Sequence, residues 1–156
     1  MPFLEYSWGK LWYAAAGTDG PPLVFLHGTG CASDDWRGVL DFLPRGARTV
    51  AVDFRGHGKS DALPAAFSLN DLAADVTDLL NRLALQHPIL VGHSLGGMVA
   101  TAAAERHGGA AGLLLLEGWT RLRTARAFRG NRMFGALDEA AIRRIQAKAT
   151  DTKRRF

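Results

Sequence analysis

The amino-acid sequence predicts an α/β fold in which a mostly parallel sheet packs against helices. Short apolar runs, which are typical of strands covered on both faces, occur at 23–26, 49–52, 88–92 and 113–116. Helical patterns lie between them at 35–43, 68–83 and 95–107. This alternation favours right-handed parallel crossovers, and a chain of 156 residues has the length of one domain.

The N-terminal residues indicate an antiparallel hairpin followed by the first buried strand. Phe3 to Trp8 and Lys10 to Ala16 are predicted to be strands around a tight turn at Gly9. The stretch 17–22, Gly-Thr-Asp-Gly-Pro-Pro, is a strong turn signal. We therefore expect the third strand to begin after this turn, at 23–26.

Two helices are predicted from their caps and apolar stripes. Ser33 or Asp34 is expected to cap a helix from Asp35 to Leu43. Its apolar face comprises Trp36, Val39, Leu40 and Leu43. Ser68 starts a second helix, with Asp71 three residues later as the capping-box acid. The apolar stripe of that helix comprises Leu69, Leu72, Val76, Leu79, Leu80 and Leu83.

The segment Val91-Gly92-His93-Ser94-Leu95-Gly96-Gly97 joins a predicted strand to an alanine-rich helix. A strand, a sharp turn and a helix are the context that a Gly-x-Ser-x-Gly nucleophile elbow requires. Such a turn lifts its hydroxyl clear of the sheet by straining the backbone. Gly92 and Gly96 remove Cβ atoms where strand and helix approach closely. Ser94 is therefore the candidate nucleophile, at a helix start that favours a developing oxyanion.

Two further segments precede the elbow: Leu26-His27-Gly28-Thr29-Gly30 and Asp53-Phe54-Arg55-Gly56-His57-Gly58-Lys59-Ser60. In this order, the three motifs make residues 3–120 resemble the N-terminal part of an α/β-hydrolase. The resemblance implies an incomplete sheet of that family, with an antiparallel N-terminal hairpin and the start of a helical cap.

The resemblance also implies roles for individual residues. The backbone N–H groups of Thr29 and Leu95 are expected to form an oxyanion hole, and Gly28 lets its loop bend towards the substrate. We interpret His27 as a structural imidazole that pins this loop, in preference to a catalytic role. The turn at 53–60 is interpreted as architectural.

Glu117 directly follows the last predicted strand, where some α/β-hydrolases carry their triad acid. It is a candidate for that role, although a local hydrogen bond is the preferred interpretation. The triad order of the family is Ser, then Asp or Glu, then His. The last histidine is His107, so the base has no matching position in 108–156.

The final strands of the family also have no counterpart, which leaves the apolar strand at 113–116 at an edge. We expect a missing C-terminal portion or a second copy of the chain to pair with it. A fragment or truncated product is preferred over a dimer that completes its own sheet and over a degenerate binding protein.

Charge divides the chain into a core at 1–118 and a basic segment at 119–156. The first part carries 8 basic and 12 acidic side chains, and the second carries 11 basic and 3 acidic ones. The basic segment is interpreted as the start of a cap or lid, with a helix from Asp138 to Ala149. Because it lacks interleaved aromatic residues, no nucleic-acid partner is expected.

Several other classes of protein are disfavoured by composition. No apolar run approaches the length of a membrane span, and no secretory signal is visible. A single cysteine, Cys31, excludes an internal disulfide and offers no metal cluster. The sequence therefore predicts a cytoplasmic protein with no metal, no cofactor and no membrane partner.

The predicted activity is hydrolysis of a small ester, or a related acyl substrate, through a Ser94 acyl-enzyme. The chain alone is expected to be weak or inactive, because the catalytic histidine is missing. Serine at the elbow argues against the haloalkane and epoxide branches, which carry aspartate there. A C–C bond hydrolase, a lactonase and a cofactor-free perhydrolase stay open. The alternative is a non-catalytic interaction protein or an edge-paired dimer.

Overall fold

The computed structural model describes residues 2–61 and 66–116, which form a sheet flanked by helices. Six strands are present in this part: β1 Phe3–Tyr6, β2 Gly9–Ala16, β3 Asp19–Leu26, β4 Ala47–Val52, β5 Ile89–His93 and β6 Gly112–Leu116. The helices are a 3₁₀ turn at Ser33–Trp36 that continues into α1 Arg37–Leu40, then α2 Leu69–Arg82 and α3 Leu95–His107.

The strand order is β1-β2-β4-β3-β5-β6, which makes the sheet mixed. β1 pairs antiparallel with β2, and β2 pairs antiparallel with β4. The pairs β3–β4, β3–β5 and β5–β6 are parallel. The predicted fold class is confirmed, and the four parallel strands all end at one edge of the sheet.

Helices cover both faces because successive strand residues point in opposite directions. Val24 and Leu26 belong to the larger core, together with the apolar sides of α2 and α3. Phe25 belongs to the smaller core on the other face, where it packs at 5.3 Å, centroid to centroid, from Trp36. The apolar stripe predicted for α2 is confirmed, since Leu72, Val76, Leu79 and Leu80 are fully buried.

The predicted start of α2 is also confirmed. The Asp71 amide donates to Ser68 Oγ at 3.3 Å, and the Ser68 amide donates to Asp71 Oδ2 at 2.7 Å. The Ser68 hydroxyl also donates to Asp71 Oδ2 at 2.6 Å. This bond, followed by the one from the Ser68 amide, holds the pKa of the Asp71 carboxyl below its usual value. At the far end of α3, Gly108 adopts the left-handed conformation that ends many helices.

The helix predicted from Asp35 to Leu43 is wrong in its start and its length. The regular structure begins at Ser33 as a 3₁₀ turn, and α1 ends at Leu40. The Ser33 amide donates to Asp53 Oδ1 at 2.6 Å, so a distant carboxylate holds this end. Val39, predicted on the apolar face, is 44% exposed.

β3 begins at Asp19, four residues before the predicted start at Leu23. Its first residue pairs with Ala47, and the register then shifts before Leu23. The turn residues between them therefore form an irregular start to the strand. The hairpin turn likewise lies at Ser7 and Trp8, since Gly9 already belongs to β2.

β6 pairs with β5, and in the described part of the chain it ends the sheet. Leu113, Leu114 and Leu116 are 43%, 52% and 41% exposed there. Glu117 and the basic segment 119–156, with its expected helix from Asp138, lie outside the described residues. None of the described helices combines the length and apolar character needed to cross a bilayer.

Candidate active site

Ser94 lies at the sharp turn between β5 and α3. Its φ of 51° and ψ of −115° place it in a region that side-chain-bearing residues rarely adopt. The Ser94 amide donates to the Leu116 carbonyl at 3.0 Å, and its carbonyl accepts from the Gly97 amide at 3.0 Å. The backbone is thus fixed from both sides, whereas the hydroxyl has no hydrogen bond to any described residue. A conformation of this kind typically costs about 1–3 kcal/mol and clusters at functional sites.

Close backbone approaches explain the glycines around this turn. A Cβ atom at Gly96 would lie 2.7 Å from the His27 carbonyl oxygen, and one at Gly92 would lie 2.6 Å from the Gly97 Cα. A Cβ at Gly28 would lie 2.9 Å from His93 Nδ1. The ends of β3 and β5 and the start of α3 therefore meet only because these positions lack side chains.

His27 connects the loops after β3 and β4. The Phe54 amide donates to His27 Nε2 at 3.1 Å, so the ring proton is on Nδ1, which donates to the Gly28 carbonyl at 2.8 Å. Burial, with a smaller contribution from His57, lowers the pKa of His27 to about 3. The imidazole is therefore neutral, with both nitrogens occupied by backbone partners.

The two amides predicted to bind an oxyanion flank this arrangement. Leu95 is the first residue of α3, where N–H groups have no partner within the helix. Thr29 follows Gly28, where an added Cβ would lie 3.4 Å from the Ser94 Cβ. Neither amide donates to an acceptor in the described part of the chain. Their role as oxyanion donors stays a prediction.

The turn after β4 holds most of its polar groups in hydrogen bonds, with buried His57 Nε2 as an exception. The Asp53 carboxylate accepts from the amides of Ser33 at 2.6 Å and Lys59 at 2.8 Å. Ser60 Oγ donates to the Asp53 carbonyl at 2.7 Å and accepts from the Trp12 amide at 2.8 Å. These hydrogen bonds are consistent with an architectural role for the turn at 53–60.

Arg55 extends the same turn to α2 through a buried ion pair. Its guanidinium donates to both Asp75 oxygens, at 2.6 and 2.5 Å, and lies 4.7 Å over the Trp8 ring. Trp8 Nε1 donates to Asp75 Oδ1 at 3.2 Å. Burial raises the pKa of Asp75, although Arg55 and Trp8 act in the opposite direction. This pair was not predicted from the sequence; its signal was an aspartate on the buried side of α2, between Leu72 and Val76.

A cavity of about 240 Å³ opens beside the serine turn. Its lining residues are His27, Gly28, Cys31, Asp35, Trp36, Val39, His93 and Leu116. Gly28, His93 and Leu116 all contact or adjoin Ser94, although Ser94 is not itself in the lining. The sequence analysis assigned no binding role to Cys31, Asp35 or Trp36.

Histidine is the candidate residue type both for the base of Ser94 and for a metal ligand. All five histidines are described, and none of their rings hydrogen-bonds to the Ser94 hydroxyl. His87 lies elsewhere, 3.2 Å from the Gly109 carbonyl. Within 2–61 and 66–116, no group of three or more His, Cys, Asp or Glu side chains could hold a metal ion.

Comparisons with known proteins agree with this geometry. The family model of the alpha/beta hydrolase fold matches residues 21–152. A non-heme haloperoxidase of Rhodococcus erythropolis is 39% identical over 110 residues, which cover 69% of this chain and 40% of that protein.

Two solved structures show the same arrangement of strands and helices. Est816, described as an N-acyl homoserine lactone degrading enzyme, superposes with a TM-score of 0.68 at 28% identity, covering 85% of this chain and 53% of that one. A structure from work on carboxylesterases of Nitrososphaera gargenis gives 0.72 at 25% identity, covering 83% and 50%. The chain thus spans about half of these structures and less than half of the curated relative.

Proposed function

The chain belongs to the alpha/beta hydrolase fold family, and from that premise we propose that Ser94 attacks the carbonyl carbon of a small ester or a related acyl substrate. Its relatives support a hydrolase at a coarse level. One observation supports the more specific proposal that Ser94 is the nucleophile. Ser94 is held in a strained turn at the start of α3, and its hydroxyl has no hydrogen bond to a described residue.

The reaction follows from the groups around Ser94. The hydroxyl loses its proton to a base as its oxygen bonds to the substrate carbonyl carbon, and the carbonyl oxygen becomes an oxyanion. The amides of Leu95 and Thr29 donate to that oxyanion, and each such donor typically contributes about 3 kcal/mol of transition-state stabilisation. The oxyanion collapses and breaks the bond from the carbonyl carbon to the alkoxide, which takes the proton back from the base and leaves as the alcohol. Water then hydrolyses the acyl-enzyme and frees Ser94.

The proton acceptor is the part that the described residues do not supply. His27 cannot act as the base, because both ring nitrogens bind backbone groups and burial lowers its pKa to about 3. We assign this role to a histidine of a C-terminal portion or of another chain that pairs with β6. Glu117 is the candidate acid that would orient it. The chain alone is accordingly expected to turn over substrate weakly or not at all.

A second function is favoured by the exposed leucines of β6. Three leucines that are 41–52% exposed on a terminal strand of the described sheet form a surface suited to pairing with another strand. On this alternative the chain is a non-catalytic interaction protein or an edge-paired dimer.

Labelling with an alkyl fluorophosphonate separates the two functions. The reagent forms a bond from phosphorus to the nucleophilic oxygen with loss of fluoride, which intact mass and peptide mapping detect. We expect one adduct, located on Ser94, that Ser94→Ala abolishes and that Ser7→Ala, at the exposed hairpin turn, leaves unchanged. A folded sample that forms no adduct would favour the interaction protein.

A further inference from the structure

Another cavity, of about 380 Å³, lies between the strands β2 and β4 and the end of α2. We call it the Arg48 groove, and its walls include Tyr13, Ala15, Arg48, Val50, Leu83 and Leu85. Arg48 is the second residue of β4, whereas Ser94 follows the end of β5. Because β4, β3 and β5 run in the same direction, the groove and the serine turn lie at opposite edges of the sheet.

The floor of the groove is apolar. Ala15 lies opposite Val50 in the pairing of β2 with β4, and Leu85 belongs with Val50 to the larger core. Leu83 packs against the same core. Alternate residues of a strand point to the same face, so the Arg48 side chain extends over the face of Val50, about 7 Å further along β4. The groove therefore combines an apolar floor with a cation at one end.

Arg48 is the one charged residue of this lining, and it is half-buried. Its guanidinium makes no hydrogen bond or ion pair with any residue of 2–61 or 66–116. Arg37, Arg55 and Arg82, by contrast, each pair with a carboxylate. A guanidinium is always charged, and its fork of N–H donors matches the two oxygens of a carboxylate. Arg48 is thus available to an anionic ligand.

The negative groups around the groove have partners of their own. Carbonyls of the last turn of α2 accept from the amides of Leu83 and Leu85, at 3.0 and 2.9 Å. Asp19, which is outside the lining, accepts from the Thr18 hydroxyl at 3.2 Å. No carboxylate of the lining therefore competes with a ligand for Arg48.

We propose that the Arg48 groove is a second ligand site, which binds a free amphipathic monocarboxylate. The carboxylate accepts from the Arg48 guanidinium, and the alkyl chain lies over Ala15, Val50 and Leu83. The volume of about 380 Å³ falls within the range of about 300–1,000 Å³ that small-molecule sites usually have. The site makes no use of Ser94, so it is independent of the proposed hydrolysis.

Amide chemical-shift titration of the full chain with octanoate tests the site. Octan-1-ol, which has the same chain length and no charge, and acetate, which has the charge and almost no chain, are the two comparison ligands. We expect octanoate to shift the amides of Ala15, Arg48 and Leu85. It should bind at least about fivefold more tightly than either comparison ligand, because only octanoate uses both the cation and the apolar floor.

Substitution of the arginine isolates the contribution of charge. Arg48→Gln keeps a polar side chain without the cation and should weaken octanoate binding at least about fivefold, while octan-1-ol binding stays unchanged. Arg48→Lys, which keeps the charge, should retain most of the affinity. Arg45→Gln, at an exposed position three residues earlier, is the matched control and should leave octanoate binding unchanged.

A second pair of variants isolates the apolar floor. Ala15→Phe fills the groove from an exposed position of β2 and should weaken octanoate binding at least about tenfold. Ala14→Phe, at the neighbouring exposed position whose side chain points to the other face, should not. Circular dichroism and urea unfolding of both variants show that each is folded.

The proposal is overturned if octanoate shifts no amide of the groove, or if octan-1-ol binds as tightly as octanoate. Equal weakening by Arg45→Gln and Arg48→Gln would also overturn it. Ser94→Ala should bind octanoate unchanged, and a loss of binding there would place the ligand at the serine turn instead. Because fluorophosphonate labelling does not enter this test, the groove and the proposed hydrolysis can fail separately.

Discussion

The turns that follow β4 and β5 lie at the same edge of the sheet and differ in the backbone under their polar side chains. After β4, the Asp53 carboxylate and the Ser60 hydroxyl both bind backbone partners, and Arg55 is fixed by Asp75. That turn still contains one buried atom without a described partner, His57 Nε2. After β5, Ser94 carries its hydroxyl on a backbone with a φ of 51° and makes no side-chain cap hydrogen bond. A strained backbone under a hydroxyl therefore distinguishes the candidate reactive turn from the structural one, although both are rich in glycine.

Removal of the Arg55 anchor should have the largest effect on stability. Asp75→Ala leaves a guanidinium whose side chain is only 12% exposed without its carboxylate, which should lower the free energy of unfolding by about 3–5 kcal/mol. Urea denaturation followed by circular dichroism measures the change. The control is Asp34→Ala, whose ion pairs join side chains that are 49–74% exposed and should contribute less than about 1 kcal/mol. Equal losses of unfolding free energy in both variants would show that the Arg55–Asp75 ion pair does not anchor the turn after β4.

Acid should weaken the link between the two turns through His27. Its folded-state pKa of about 3 lies below the ordinary 6.5, so the unfolded chain binds more protons between these values. The stability that neutral His27 contributes is therefore fully present above about pH 6.5 and is lost as the pH falls towards 3. For this one group the free energy of unfolding falls by at most about 1.4 kcal/mol per pH unit.

The His27 contribution can be isolated by substitution. His27→Asn removes this titration and should reduce the slope of unfolding free energy against pH between about 6.5 and 4, leaving the part due to His57, whose pKa burial also lowers. An unchanged slope in His27→Asn would contradict the neutral, buried imidazole.

Relief of strain at the second turn should give the smallest change, and in the stabilising direction. Ser94→Gly removes a side chain from a φ of 51° and breaks no side-chain hydrogen bond, so a gain of about 1 kcal/mol is expected in thermal or urea unfolding. Ala84→Gly, at a φ of 48° after α2, should give a similar gain. Only Ser94→Gly should also abolish phosphonate labelling. A loss of stability in Ser94→Gly would mean that the serine side chain is structural.

The sequence predicted the parts of the fold that depend on local patterns. Apolar runs located the buried strands, and the Ser68–Asp71 capping box located the start of α2, because these signals lie within a few residues of each other. The helix near Ser33 was misplaced because its first amide is held by Asp53, twenty residues away. The early start of β3 was missed because pairing of Asp19 with Ala47 overrides the local turn signal.

The residues of the candidate site fall into the same two groups, those predicted by a local motif and those that depend on long-range contacts. The position of Ser94 followed from a contiguous motif, and the roles of Gly28, Gly92 and Gly96 followed from its steric demands. The Arg55–Asp75 pair and the cavity at Cys31 and Asp35 could not be predicted, because they join segments that only the folded sheet brings together. The source of the base stays a prediction for the same reason.

Acylation of a thiol placed at position 94 tests most directly whether the turn is built to stabilise an oxyanion. In a Cys31→Ser background, Ser94→Cys supplies a nucleophile that depends less on a general base. Release of p-nitrophenolate from p-nitrophenyl acetate is compared with that of Ser7→Cys at the exposed hairpin turn, with rates corrected for thiolate fraction. We expect acylation of Ser94→Cys to be about 100-fold faster or more than that of Ser7→Cys, since one oxyanion-hole donor typically contributes a factor of this size. Equal corrected rates in two folded variants would contradict it.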